Sequence, residues 1–323
     1  MNPKKLFTGQ ELPTLSRALA GAGFTLVDIG GRGDAVPELV ALAPFSHHVV
    51  CEPDAREADR LEEQLRASAW RRATVVREAL ASSEGYATLF VTREPGLSSL
   101  LRPVEATVAQ LPFGDRFEVA ATVEVPTLPL DAAARKYEFT DACFLKLDTQ
   151  GTELDILRSG TQLLPSVLGV MVEVSFREWY ERQALAHDVA AFMHANGFEL
   201  FTLLRTNLRR RGFRPEVFSR RITTWAHALY FREPETLLTG PIGEQRVRIV
   251  RLLGLALSFQ FTDVAARTAA LAGRIGAVDD ASGLLADVER CADAITRYRL
   301  HEATDTERQE RLAASFKDKR QRE

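Results

Sequence analysis

FTLVDIGGRGD, residues 24–34, sets an apolar run with a β-branched core (Leu26, Val27, Ile29) against Gly30, Gly31 and Gly33. A helical pattern (Val36, Leu39, Val40, Leu42) starts at Asp34. The order is strand, glycine turn, helix. Glycine lets the backbone approach a ligand closely and take φ > 0 without a Cβ clash. A helix over 34–43 turns unpaired N–H groups and partial positive charge toward whatever sits in the turn. A tight βα turn with no ligand explains the same residues, so the neighbouring segments have to discriminate.

Downstream, His48-Val49-Val50-Cys51 reads as a buried strand ending in Glu52-Pro53-Asp54, with a polar helix to about Arg66. Ala73 to Arg77 is a third strand, stopping at Glu78-Ala79-Leu80. Strands alternating with helices predict a parallel, doubly wound sheet. In such sheets ligands bind at the carboxyl ends of the strands. Asp28, the glycine turn, Glu52 and Glu78 share that edge. Glu52 follows the glycines by about twenty residues, where an acid accepts both ribose hydroxyls of a nucleotide. Helix capping competes for that acid, but Asp54 suits the cap better. His47 and His48 read as strand-opening residues rather than ligands.

The alternation then breaks. Gly85 to Thr92 is a strand, and Val119 to Val125 and Thr127 to Leu130 look extended, with proline keeping them at edges. This insertion either covers the mouth of the site or forms a surface hairpin. CFLKLDTQGTELDIL, residues 143–157, is the second informative stretch. A buried strand ends at Asp148, a turn follows at Gly151, and Glu153 opens a helix. Asp148 is expected in the same crevice as Asp28 and Glu52, unless it or Thr152 caps the helix. Val167 to Phe176 is a fifth strand with Glu173 near its end. Residues 184–196 form a helix, Gly197 to Phe201 begins a sixth strand and Ala226 to Phe231 a seventh. The arginine-rich stretch Arg205 to Arg221 reads as a solvated loop, although it could contact an anionic substrate.

From about Glu233 only helical patterns remain. The expected division is an α/β domain over residues 1–235 and a helical extension over 236–323. That extension could serve as a lid, a homodimer contact or a docking surface. The net charge of -3 over 323 residues gives nucleic acid no surface. Three separated cysteines suggest neither a disulfide framework nor a zinc site, and so a reducing compartment. The N-terminus lacks a signal-peptide core, and no apolar run reaches the roughly 20 residues that span a bilayer. A cytoplasmic location is expected.

LVDIGGRGD, CEPD, EALASSEGYATLFVT, GLSSLL, VPTLPLD, FLKLDTQGTELDILRSG, GVMVEVSF and GFELF occur in that order. Together they resemble the FkbM family of S-adenosylmethionine-dependent methyltransferases, over roughly residues 24–232. The resemblance implies a Rossmann-like, seven-stranded class I methyltransferase fold with the last strand antiparallel. It implies S-adenosylmethionine as cofactor and methyl transfer to a hydroxyl of a sugar, glycan or secondary metabolite. Asp28, Gly30, Gly31 and Gly33 would hold the methionine part of the donor. Glu52 with Pro53 would hold the ribose, and Glu78 and Ala79 would flank the adenine, with Asp148 on the donor side of the crevice. Asp34 stands where the common methyltransferase turn has glycine.

Carboxylates suit a sulfonium donor electrostatically. An alcohol acceptor must lose a proton, and a positioned base contributes about 10²–10⁴-fold. Glu173 is the first choice for that base, Asp148 the second, and His227 a weaker candidate of structural character. No metal constellation is visible in the sequence, although two nearby carboxylates could bind Mg²⁺. A nicotinamide-dependent oxidoreductase shares the glycine turn and ribose acid. Against it, G-G-x-G is not G-x-G-x-x-G. A catalytically silent scaffold, binding partners through the helical tail, is the reading from another class.

Overall fold

The computed structural model describes residues 6–7, 12–33, 35–212 and 217–320, with side chains to residue 301. Its strands are β1 Phe24–Ile29, β2 Ser46–Cys51, β3 Arg72–Val76, β4 Ala79–Leu80 and β5 Gly85–Thr92. They continue with β6 Val119–Leu128, β7 Phe144–Leu147, β8 Gly169–Ser175, β9 Glu199–Leu208 and β10 Ile222–Phe231. The α-helices are α1 Pro13–Ala22, α2 Ala55–Arg66, α3 Glu105–Val108, α4 Leu130–Lys136 and α5 Glu153–Arg158. After them come α6 Ala186–Ala195, α7 Ile242–Ser258, α8 Thr262–Arg274 and α9 Ala281–Arg320.

Seven strands form one sheet in the order β3-β2-β1-β7-β8-β10-β9. β3, β2, β1, β7 and β8 run parallel. β10, the last strand in the chain, is antiparallel to both β8 and β9. This is the α/β architecture expected from the sequence. Every residue of β1 is buried, and β7 and β8 are nearly so. That explains why all three read as continuous apolar runs rather than alternating ones.

The region after the glycine turn departs from expectation. Instead of an α-helix over 34–43, a 3-10 helix covers Pro37–Phe45, and Asp34 lies outside the described residues. Pro44 sits inside this helix and has no N–H to donate, which disfavours a continuous α-helical ladder. Among the described residues the glycine turn therefore has no α-helix dipole directly behind it.

The insertion folds as a three-stranded sheet, β4-β6-β5. β6 is its centre, not an edge. β4 pairs only with Thr127 and Leu128, so Pro126 has a strand, β5, on one side and its missing N–H breaks no ladder. Thr127 and Leu128 are extended as expected, but Leu130 already opens α4. β9 continues past Phe201 to Leu208, so the start of the arginine-rich stretch is strand rather than loop; residues 213–216 lie outside the described residues.

By compactness the chain divides into two units. One comprises residues 23–35 and 43–239 and contains both sheets. The other comprises residues 1–22, 36–42 and 240–323. The compact units group α1 with the C-terminal helices. Inside that helical unit Leu15 and Leu19 of α1 are fully buried, as are Leu252 and Leu253 of α7. The Leu15 N–H donates to the buried Asp287 carboxylate of α9 at 2.8 Å, satisfying a donor that helix geometry leaves unpaired near the start of α1. Among the described residues no helix is long and apolar enough to cross a membrane.

Gly169 opens β8 where two rings close over it. A Cβ there would stand 2.3 Å from Phe231 Cε1 and 2.9 Å from Phe144 Cδ2. Gly169→Ala is expected to destabilise the chain by about 1–3 kcal/mol through overpacking, read as a lower urea midpoint.

Candidate active site

The glycine turn is shaped by its neighbours. Gly30 has φ 77°, and a Cβ on it would lie 2.0 Å from the Asp148 carbonyl oxygen. Only glycine permits both that backbone and that approach. The N–H groups of Gly30 and Gly31 donate to the Cys51 carbonyl at 3.1 and 3.2 Å. The turn is thereby tied to the end of β2 by hydrogen bonds and to the end of β7 by contact. Gly31 is required by packing, since its Cβ would meet Val50 Cγ1 at 2.1 Å. Gly33 has φ 104° with open space around it.

A cavity of about 160 Å³, open to solvent, lies at these strand ends. Gly30, Glu52, Pro53, Glu78, Ala79 and Asp148 all line it. Leu89, Val91, Ser99 and Leu100 of the insertion line it as well. The insertion is therefore a wall of the cavity, not a detached surface hairpin.

Each acid has a distinct environment. Asp54 caps α2, accepting from the N–H groups of Arg56 and Glu57 at 3.0 and 3.1 Å. This frees Glu52 from capping. One Glu52 oxygen accepts from the Asp54 N–H at 2.9 Å, and Arg32 approaches it at 4.0 Å. Burial pushes the Glu52 carboxyl above the usual range, against the pull of that hydrogen bond and of Arg32. Glu78 accepts from Lys136 and, at 2.6 Å, from the Tyr137 hydroxyl. Burial works to raise its pKa, but these two bonds prevail and hold it below its ordinary value.

Asp28 does not line the cavity. It is buried, and Lys146 Nζ stands 2.9 Å from its Oδ1. Lys146 also donates to the Gly30 carbonyl at 2.9 Å and lies 3.9 Å from Asp148. Burial raises the Asp28 carboxyl above its ordinary value, with Lys146 acting against it. Asp28 thus bears on the cavity only through the turn that its lysine partner clamps. The sequence reading passed over Lys146; a lysine inside the apolar FLKL of β7 was the available signal.

Glu173, absent from the cavity lining, belongs to a second cluster. Strand register pairs it directly with His227, so both side chains leave the same face of the sheet. His227 Nε2 lies 3.5 Å from Asp148 Oδ2. Gln150 Nε2 bridges the acids, 2.8 Å from Asp148 Oδ1 and 3.0 Å from Glu173 Oε2. Gln150 itself has φ 59°, and its side-chain oxygen accepts from the Tyr180 hydroxyl at 3.0 Å. The Ser99 hydroxyl donates to its backbone carbonyl at 2.7 Å, linking the cluster to the insertion. Burial, then Asp148 and Glu153, push the Glu173 carboxyl well above the usual range. Burial also works to raise Asp148, but His227 and Lys146 prevail and hold it low. The two carboxyls are therefore shifted in opposite directions.

Neither competing account of Asp148 and Thr152 as helix caps holds. Thr152 occupies the N-cap position of α5 without a side-chain cap bond. The Glu153 carboxylate instead collects the N–H groups of Thr149 and Gly151. His47 and His48 are absorbed by the sheet, His47 contacting Thr74 at 2.9 Å and His48 stacking on Trp70. Burial lowers the pKa of His48 to about 4. No metal constellation was visible in the sequence, because its members come from three separate segments. Asp148, Glu173 and His227 offer ligating atoms all within 4.8 Å of one another.

Lys146→Met is expected to destabilise the chain by about 3–5 kcal/mol at neutral pH, because it strands a buried carboxylate. The folded-state pKa of Asp28 rises further in the variant. Its deficit should shrink as pH falls through the carboxylate range, where a protonated Asp28 needs no counter-ion. Urea unfolding at a series of pH values reads this.

A family model described as the methyltransferase FkbM domain matches residues 28–200. No curated protein sequence matches the chain. Among solved structures, similarity extends to magnesium protoporphyrin IX methyltransferase from Synechocystis PCC 6803 with bound SAM. That match has 11% identity and a TM-score of 0.32, covering 68% of this chain and 79% of that one. A second is precorrin-6y C5,15-methyltransferase from Geobacter metallireducens GS-15, with 14% identity and a TM-score of 0.32, covering 71% and 91%. A third, described as a putative tRNA (m1A22) methyltransferase from Streptococcus pneumoniae, has 11% identity and a TM-score of 0.34, covering 86% and 97%.

Proposed function

The chain belongs to the FkbM methyltransferase family, whose cofactor is S-adenosylmethionine, and from this premise we propose that it methylates a hydroxyl oxygen of a sugar, glycan or secondary metabolite. The observation that carries the donor site is the convergence of six sequence candidates on one cavity: Gly30, Glu52, Pro53, Glu78, Ala79 and Asp148.

The chemistry of these residues fits the donor. Glu52 has one oxygen engaged by the Asp54 N–H, and its carboxylate lines the cavity where a ribose diol would be gripped. Leu80, Leu89 and Val91 give an adenine-sized group apolar walls. Asp148 sets negative charge at the cavity's edge on the side of the second cluster, as a sulfonium requires. When bound, the donor supplies an electrophilic methyl group.

The chain's own tasks are alignment and proton handling. Alignment of reacting groups is worth roughly 7–11 kcal/mol in favourable systems. The Ser99–Gln150 bond supports a fixed geometry between the cavity wall and the acidic cluster. The acceptor's hydroxyl proton has to leave as the new O–C bond forms. Asp148 and Glu173 are assigned to that event, now joined by His227. Membership of a methyltransferase family removes the ground for a nicotinamide enzyme, which the spacing already disfavoured.

Calorimetric titration should show S-adenosylmethionine binding and no binding of NAD. Glu52→Ala should weaken donor binding by roughly 10–100-fold, the value of hydrogen bonds to a charged group. Labelled donor incubated with sugar, glycan and metabolite fractions should yield an O-methylated product by mass analysis. Label found only on nitrogen or carbon would reject the hydroxyl acceptor.

A further inference from the structure

The structure assigns a second binding site, and we infer that Asp148, Glu173 and His227 hold a divalent metal cation beside the donor cavity. Three strands meet there: Asp148 follows β7, Glu173 lies on β8 and His227 on β10. Their offered atoms lie within 4.8 Å of one another. Donors about 2.1 Å from one ion lie about 3.0 Å apart when adjacent and at most about 4.2 Å when opposite, so coordination needs the side chains to close by roughly 1 Å. Rotation of partly exposed side chains supplies that. The Asp148 and His227 side chains are 27% and 34% exposed, so an ion can reach them from solvent.

The charge balance points the same way. Lys146 is 3.9 Å from Asp148 and closer, at 2.9 Å each, to Asp28 and the Gly30 carbonyl. Gln150 uses one oxygen of Asp148 and one of Glu173, and leaves the other oxygen of each unused by the amide. Asp148 Oδ2 is the oxygen that faces His227. Carboxylates brought this close repel one another unless a proton or a cation stands between them.

Two carboxylates and one imidazole favour a first-row divalent ion over Ca²⁺, and leave positions open on an octahedral ion. Mn²⁺ is the fitting probe. The role in methyl transfer rests on the methyltransferase reading; binding of the ion does not. An ion here would touch the acceptor hydroxyl and lower its pKa. With the ion held, Asp148, Glu173 and His227 act on the hydroxyl proton through it rather than as its acceptor: the O–H bond breaks with its proton leaving to water, the O–CH₃ bond forms as S–CH₃ breaks, and sulfur keeps the bonding pair.

The test uses the full chain stripped with EDTA, dialysed, and titrated with Mn²⁺ under electron paramagnetic detection. One ion per chain is expected. His227→Gln and Glu173→Gln should each weaken binding by about tenfold or more. Asp155→Asn, an exposed acid on α5, should leave it unchanged. Calorimetry with S-adenosylmethionine on the same variants checks that the neighbouring cavity is intact. No Mn²⁺ bound up to about 1 mM, the weak end of protein sites for divalent ions, overturns the proposal. So does binding indifferent to both variants. A chain that takes up Mn²⁺ but no donor keeps the metal site and sinks the methyltransferase mechanism; the converse sinks the metal site alone.

Discussion

Lys146 is the contact on which the site's architecture depends. Its ammonium joins a carboxylate of β1, a carbonyl of the glycine turn and the acid that ends β7. A lysine inside a sheet pays a desolvation cost that only close, multiple partners offset. Those partners are present, and burial's tendency to neutralise Lys146 is overcome by Asp28 and Asp148, so its pKa is raised rather than lowered. The arrangement fixes the distance between the first turn and the seventh strand. Gly30 then has to be glycine, because the Asp148 carbonyl occupies the place of a Cβ.

From that fixed point two chemically different zones diverge. Toward β2 the cavity is lined by Glu52 and by apolar side chains from the insertion. Toward β8 and β10 the side chains are titratable, and Gln150 organises them. Its left-handed backbone is a cost for a residue with a Cβ. The Tyr180 hydroxyl, the Ser99 hydroxyl and two carboxylates repay it with hydrogen bonds from both side chain and backbone. The two zones meet at Asp148 and Gln150, which line the cavity and belong to the cluster.

The first stretch, Phe24 to Gly33, made β1 and its turn legible because a buried parallel strand is continuously apolar and glycine marks the break. The same physics exposed β2, β7 and β8, and with them Glu52 and Asp148. It misjudged the segment after the turn, since periodicity cannot separate a 3-10 helix interrupted by Pro44 from an α-helix. It also set β6 at an edge, since the length of its partner β4 is not written in β6 itself.

Sequence by itself determined the order of strands, the family pattern and the acids at the strand ends, because those follow from local hydrophobic period and turn chemistry. Only tertiary structure decided which acids share a site. The pairing of Glu173 with His227 depends on an antiparallel register between strands about fifty residues apart in the chain. The withdrawal of Asp28 from the cavity depends on a lysine from β7 reaching β1. Register and cross-strand charge pairing are properties of the assembled sheet, and no single segment encodes them.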